Sequence, residues 1–180
     1  MIPTRDQIFE LWELYHLPEQ KRIHVLLVAK VALFMAKRLQ KMQPNVFINI
    51  QLLESAALLH DIDKMIPRKP GEQHPDAAVR VLREHGYDEV ADIVVTHPLH
   101  SILDTTISPK TWEEKLLYLS DKMVKYDIVG VDKRFALWNA EHLPDDAQRI
   151  LDASYPKVKQ LEKEVFEMLH LSQLDLAQLA

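Results

Sequence analysis

The chain has 180 residues, 47% of them hydrophobic, a formal net charge of −5 and no cysteine. That length can bury a sizeable core in one domain, while the modest negative charge argues against a nucleic-acid binder working through bulk charge. Without thiols, disulfides, thiolate metal sites and cysteine nucleophiles are excluded, and a reducing cytoplasm is the expected compartment.

No apolar run approaches the roughly 18 to 20 residues of a membrane span, so no membrane association is expected. The opening "MIPTRDQIFELWELYH" alternates charged and apolar residues and lacks a signal-peptide core. With only three glycines and no Asn-Gly or Asp-Gly pair, and with apolar residues recurring at helical spacing, the fold class is all-α.

In chain order, Thr4 caps a helix running to about Tyr15, and Pro18 stands near the first turn of a second that ends at "QPN". A third helix runs from about Ile50 to Asp61, followed by the loop "MIPRKPGEQ". Pro75 suits the first position of a fourth helix, and Gly86 the residue just past its end. "YDEVADIVVTH" is a short helix stopped at His97 by Pro98. "SPKTWEEKLLYLSDKMVKYDIV" is the next helix, capped by Ser108 or Thr111, and a shorter one covers "DKRFALWNA". The last follows "LPDDAQRILDASYPKVKQLEKEVFEML", with a kink or break expected at Pro156.

Several ionisable residues sit where this pattern demands a core. "SAALLHDIDK" carries an apolar helix straight into His60 and Asp61. His24 lies inside "IHVLLVAKVALF", His74 precedes a Pro-initiated helix, His97 ends "VADIVVTH", and Asp121 interrupts "KLLYLSDKMV" in mid-helix. Any one of them could be a hydrogen-bonded core residue, but together each would need its own buried partner. A shared divalent site satisfies them all. His16, His85, His142 and His170, at helix ends or in polar loops, have ordinary structural or solvated roles. Lys64, four residues after His60 and three after Asp61, falls on the same helix side. It is either an exposed lysine or a cation for an anionic substrate.

The order His24, His60-Asp61, His74, His97, Asp121 resembles the HD superfamily of metal-dependent phosphohydrolases. "LLHDIDK" is similar to that family's "LLHDIGK" signature and "YLSDKMVKYD" to its closing helix. The similarity covers about residues 20–128, within one domain on which C-terminal helices at about 132–175 would pack. The resemblance implies a helical bundle in which His24, His60, Asp61 and Asp121 hold a first ion. His74 and His97 match the extra histidines of two-metal members, with Asp61 bridging. His97 is preferred to His100 as the ligand, His100 being a neighbouring or substrate contact. Asp63 stands where the family has glycine; pointing nearly opposite to Asp61, it is expected behind the ligands or at the surface.

Histidines and carboxylates suit one or two ions of Fe, Mn, Co, Ni or Zn rather than Mg or Ca. The implied reaction is hydrolysis of a nucleotide or dinucleoside polyphosphate by a metal-activated water, Asp61 and Lys64 being the catalytic candidates. Lys64, Arg68, Lys69 and His100 are candidate substrate contacts, with Lys122 and Lys125 weaker ones. Met65, Met123, Tyr126 and Trp138 are either pocket wall or core. A small-molecule phosphate ester is the expected partner, and nothing opposes a homodimer. A non-catalytic nucleotide-sensing module and a di-iron oxygenase on the same scaffold are the alternatives; a Glu-rich metal-storage or oxygen-carrier bundle ranks below both.

Overall fold

The computed structural model describes residues 1–179, and every regular element among them is helical. The one extended pairing is an isolated bridge between Val124 and Ile128.

Helix α1 (Arg5–Leu14) starts with a capping box, in which the Thr4 hydroxyl accepts from Gln7 N and the Gln7 side chain from Thr4 N. Helix α2 (Glu19–Met42) buries Val25, Val28, Ala32, Met35 and Leu39, a stripe at three- and four-residue spacing. Helix α3 (Ile50–Leu59) is buried almost all round from Leu53 to Leu59 and is the central element. It touches α1, α2, α5 (Asp88–Val94) and α6 (Trp112–Asp121).

Helix α4 (Asp76–Glu84) ends as its sequence predicts. Gly86 takes φ +76°, Gly86 N donates to Arg83 O and Tyr87 N to Leu82 O, closing the helix end with a left-handed residue. His16 plays the same part after α1, at φ +53°, with Leu17 N donating to Trp12 O. Short 3-10 turns cover Ile62–Met65 and Leu99–Leu103. Helices α7 (Val131–Asn139), α8 (Asp145–Leu169) and α9 (Gln173–Ala177) complete the chain. Helix α8 packs on α2, α6, α7 and the second 3-10 turn. Buried side chains from α1 through α9 join in one apolar cluster.

Three expectations are corrected. Helix α6 does not continue past Asp121: Lys122 N and Met123 N donate to the carbonyls three residues back, tightening the last turn. Asp121 is therefore the final helical residue rather than a mid-helix one. Helix α5 likewise stops at Val94, with Thr96 N and His97 N bonded to Ile93 O and Val94 O. Pro156 does not break α8, because it faces outwards while Leu151, Ser154, Val158 and Leu161 stay buried on either side of it. Among the described residues, no helix is long and apolar enough to cross a membrane.

Candidate metal centre

Three helices end beside the second turn of α2. Helix α3 stops at Leu59 and hands the chain to His60 and Asp61; α5 stops three residues before His97; α6 stops on Asp121 itself. His24 faces them from α2, and His74 arrives from the loop before α4. His60 and His97 are buried, as are His24 and Asp61, while His74 and Asp121 are partly open to a cleft.

The hydrogen bonds fix how each imidazole is presented. His60 Nδ1 lies 2.8 Å from Ala57 O, His97 Nδ1 2.5 Å from Val94 O, and His24 Nδ1 3.1 Å from Lys125 O. His74 Nδ1 lies 3.0 Å from both carboxylate oxygens of Asp63. Carbonyl and carboxylate oxygens only accept, so every Nδ1 carries the proton and donates it. In the neutral ring every Nε2 is left with a bare lone pair.

Those lone pairs are crowded together with other acceptors. His24 Nε2 stands 3.0 Å from Asp121 Oδ1, and His74 Nε2 2.9 Å from His97 Nε2. His60 Nε2 is buried with no hydrogen-bond partner, 3.5 Å from Asp121 Oδ1. Asp61 lies between the two groups, Oδ2 4.0 Å from His24 Nε2 and Oδ1 3.7 Å from His74 Nε2. Acceptors facing acceptors in a desolvated site repel unless a cation sits among them. Two triads, His24/His60/Asp121 and His60/Asp61/His97, each bring their ligand atoms within 4.8 Å of one another. A third of the same span joins Asp61, Asp63 and His74. This donor set fits divalent transition ions.

Cations compensate the carboxylates. Lys64 Nζ is 2.9 Å from Asp61 Oδ1 and Lys21 Nζ 2.9 Å from Asp61 Oδ2. Lys122, itself buried, donates to Asp121 Oδ2 at 2.8 Å and to the His97 carbonyl, with its ammonium 4.2 Å from the Tyr118 ring centre. Burial pushes the Asp61 carboxyl up, but His60, Lys64 and Lys21 outweigh it and hold the group well below the usual carboxylate range. Asp121 behaves alike, burial being overcome by Lys122, His24 and His60. Burial drives His97 well down, and the neighbouring His60 and His74 push the same way. Burial also lowers His60, yet Asp61 and Asp121 together raise it on balance, so a proton competes for its Nε2.

A cleft of about 320 Å³ opens onto these groups, with His100, Arg134 and Trp138 on its walls. A slightly larger recess of about 350 Å³ between α7 and α8 holds none of the six candidate ligands.

All six candidate metal ligands thus come together. Lys64 is paired with Asp61 rather than free, and His100 lies at the cleft edge while His97 faces the cluster. Arg68 and Lys69 are exposed in their loop and line neither this cleft nor the one beyond His74. Met123 belongs to the core, Met65 and Tyr126 are exposed, and Trp138 walls the cleft. Asp63 is not directed away from the cluster: its buried carboxylate grips the far nitrogen of the ring whose Nε2 faces Asp61. The 3-10 turn after Asp61 brings it there. Lys21 and Arg134 were not expected. Neither interrupts an apolar run of its helix.

The family model described as HD domain matches residues 22–125, more than half of the chain and the span from α2 to just past Asp121. No curated protein and no solved structure matches it.

Proposed function

Because the chain belongs to the HD domain family, we propose that it is a metal-dependent phosphohydrolase acting on a nucleotide or dinucleoside polyphosphate. The observation that carries this reading is the common presentation of four imidazoles, each pinned through Nδ1 and turning Nε2 toward one shared cluster with two carboxylates. Carboxylate and carbonyl partners behind ligand histidines are the arrangement that orients rings for a metal.

His24, His60 and Asp121 would hold one ion, and His74 and His97 a second, with the two oxygens of Asp61 turned to opposite sides. The acceptor crowding at two separate places supports two ions over one. Divalent ions bound there would supply positive charge for phosphoryl oxygens and lower the pKa of an attacking water, which favours Fe, Mn, Co, Ni or Zn.

The chain's own groups do the rest. Lys21 and Lys64 hold the oxygens of Asp61; once those oxygens serve as ligands, both ammonium groups need new acceptors, and phosphoryl oxygens fit them. His100, at the cleft edge, is placed to touch the rest of the substrate. Burial of His60, His97 and Asp61 keeps bulk water away from the ligand atoms.

The test is elemental analysis of the purified chain together with a nucleotide and dinucleotide hydrolysis screen in Mn, Fe and Co. Metal-dependent turnover that disappears on chelation, and in Asp61→Ala protein of unchanged circular dichroism, supports the reading. Tight nucleotide binding without turnover in any metal would favour a sensing module, and oxygen consumption by iron-loaded protein an oxygenase.

A further inference from the structure

Four cations line the cleft, and three are already paired. Lys21 and Lys64 hold Asp61, and Lys122 holds Asp121. Arg134 differs. It makes no ion pair among the described residues, and its Nε is buried without a hydrogen-bond partner. The residue as a whole is partly exposed, so the cost falls on that one buried N–H, and arginine cannot escape it by losing its proton. Such a group is stable where an anion visits it.

The surroundings hold the side chain ready. Arg134 lies in the first turns of α7, where its backbone N donates to Gly130 O at 3.0 Å. The guanidinium carbon stacks 4.1 Å from the centre of the Trp138 ring, and that ring packs edge-on against Phe135 at 5.2 Å. Stacking covers one face of the planar group and Nε is buried, so the two terminal nitrogens are the donors left to meet phosphate oxygens, one each. Arg134 also stands where the cleft of the histidines and aspartates meets a second recess of about 190 Å³, bounded on its far side by Tyr126 and Glu141. An anion lying against the metal-ligand cluster is therefore within its compass, and a bulky group attached to that anion has somewhere to go.

We propose that Arg134, oriented by Trp138, is the anion clamp of this cleft and binds the phosphoryl group of a phosphate ester beside the histidine–aspartate cluster. The identity of the anion rests on the phosphohydrolase reading; the existence of an anion site at Arg134 does not. Lys133, the next residue, is exposed on the outer side of α7 and carries the same charge, so it separates a specific clamp from general electrostatic attraction.

The experiment is calorimetric titration of inorganic phosphate into the manganese-loaded full chain, for wild type, Arg134→Gln, Arg134→Lys and Lys133→Gln, with metal content and thermal unfolding measured alongside. Loss of the bidentate charge-assisted contact should weaken phosphate binding by about tenfold or more in Arg134→Gln. Arg134→Lys, which keeps the charge but not the fork, should fall between it and wild type. Lys133→Gln should bind as wild type, and manganese content should not change. Wild-type phosphate affinity in both Arg134 variants, equal losses in Lys133→Gln, or no phosphate binding by wild type would each overturn the clamp. If Arg134→Gln does not fold, the lysine variant decides by the same criterion. Phosphate binding through Arg134 in a protein that hydrolyses no ester would leave the clamp standing and remove the hydrolase. Metal-dependent hydrolysis with KM unchanged in Arg134→Gln would do the reverse.

Discussion

His74 Nε2 and His97 Nε2 face each other across 2.9 Å, although each ring has already committed its proton through Nδ1, to Asp63 and to the Val94 carbonyl. Two lone pairs at that distance repel, so a divalent cation should stabilise the fold strongly. Addition of Mn or Co to chelated protein should raise Tm, by an amount growing with the logarithm of metal concentration. His97→Ala should lower the metal bound per chain and most of that gain; an unchanged Tm response in this variant would count against the assignment.

Asp63 tests the support behind a ligand rather than a ligand. Its carboxylate accepts the His74 Nδ1 proton from a fully buried position. Asp63→Asn keeps the shape but can offer its amide nitrogen in place of an oxygen, leaving the ring orientation unspecified. Metal affinity measured by titration should fall about 10- to 100-fold, with the helical content unchanged.

Two lysines that contact the site carboxylates should differ sharply in their worth. Lys122 is buried and serves both Asp121 and the His97 carbonyl. Its replacement by alanine leaves the largely desolvated Asp121 carboxylate and the His97 carbonyl without their cation and should cost about 3 kcal/mol in denaturant unfolding of metal-free protein. The Lys21 side chain is 39% exposed, and Lys21→Ala should cost no more than about 1 kcal/mol.

The pH dependence of the metal-free protein follows from the signs of the shifts. His97 is held below its ordinary value, first by burial, so the unfolded chain takes up that proton first and stability falls as pH drops below about 6.5. His60 is raised: burial opposes this, but Asp61 and Asp121 prevail. Its contribution is present below about pH 6.5 and is lost as pH rises through the folded value. Asp61 and Asp121, both depressed despite burial, add stability present above about pH 3.9 and lost as pH falls through their lower folded values. Urea midpoints should therefore peak near about pH 6.5, and His60→Gln should flatten the alkaline side and also soften the acid side, because His60 helps to depress His97, Asp61 and Asp121.

Pro156 lies exposed inside α8, where it cannot donate to the carbonyl four residues back. Pro156→Ala restores that bond and should raise stability by about 1–3 kcal/mol without altering metal content. A destabilised variant would show that the proline serves some packing requirement on its exposed face.

Much of this was legible in the residues. Capping at Thr4 and Thr111 and the left-handed Gly86 follow from local chemistry, and so do most helix positions. Five of the six candidate ligands stood out because each placed an ionisable group in or at the end of an apolar helical run; His74, in a loop, stood out only by its place before Pro75 and by the family resemblance. Lys21 and Arg134 were not legible for the opposite reason. They occupy polar positions that periodicity permits, and only the folded chain shows that Lys21 meets Asp61 forty residues on. The expected extension of α6 past Asp121 failed because "KMVKYD" keeps a helical pattern while the backbone turns in 3-10 bonds and a bridge at Val124. Pattern reports which side chains want burial, not where hydrogen bonding changes its step.

The His60 and His97 rings each fold back on the carbonyl three residues earlier, at the end of α3 and of α5. Stopping the helix and aiming the nitrogen are thus one act of local geometry, repeated at two places in the chain. A substitution that lengthened either helix by a turn would swing its imidazole out of register even with every distant neighbour intact. The centre's accuracy is accordingly vulnerable at Ala57, Leu58, Leu59 and Val94, small and aliphatic residues that do not line the cleft.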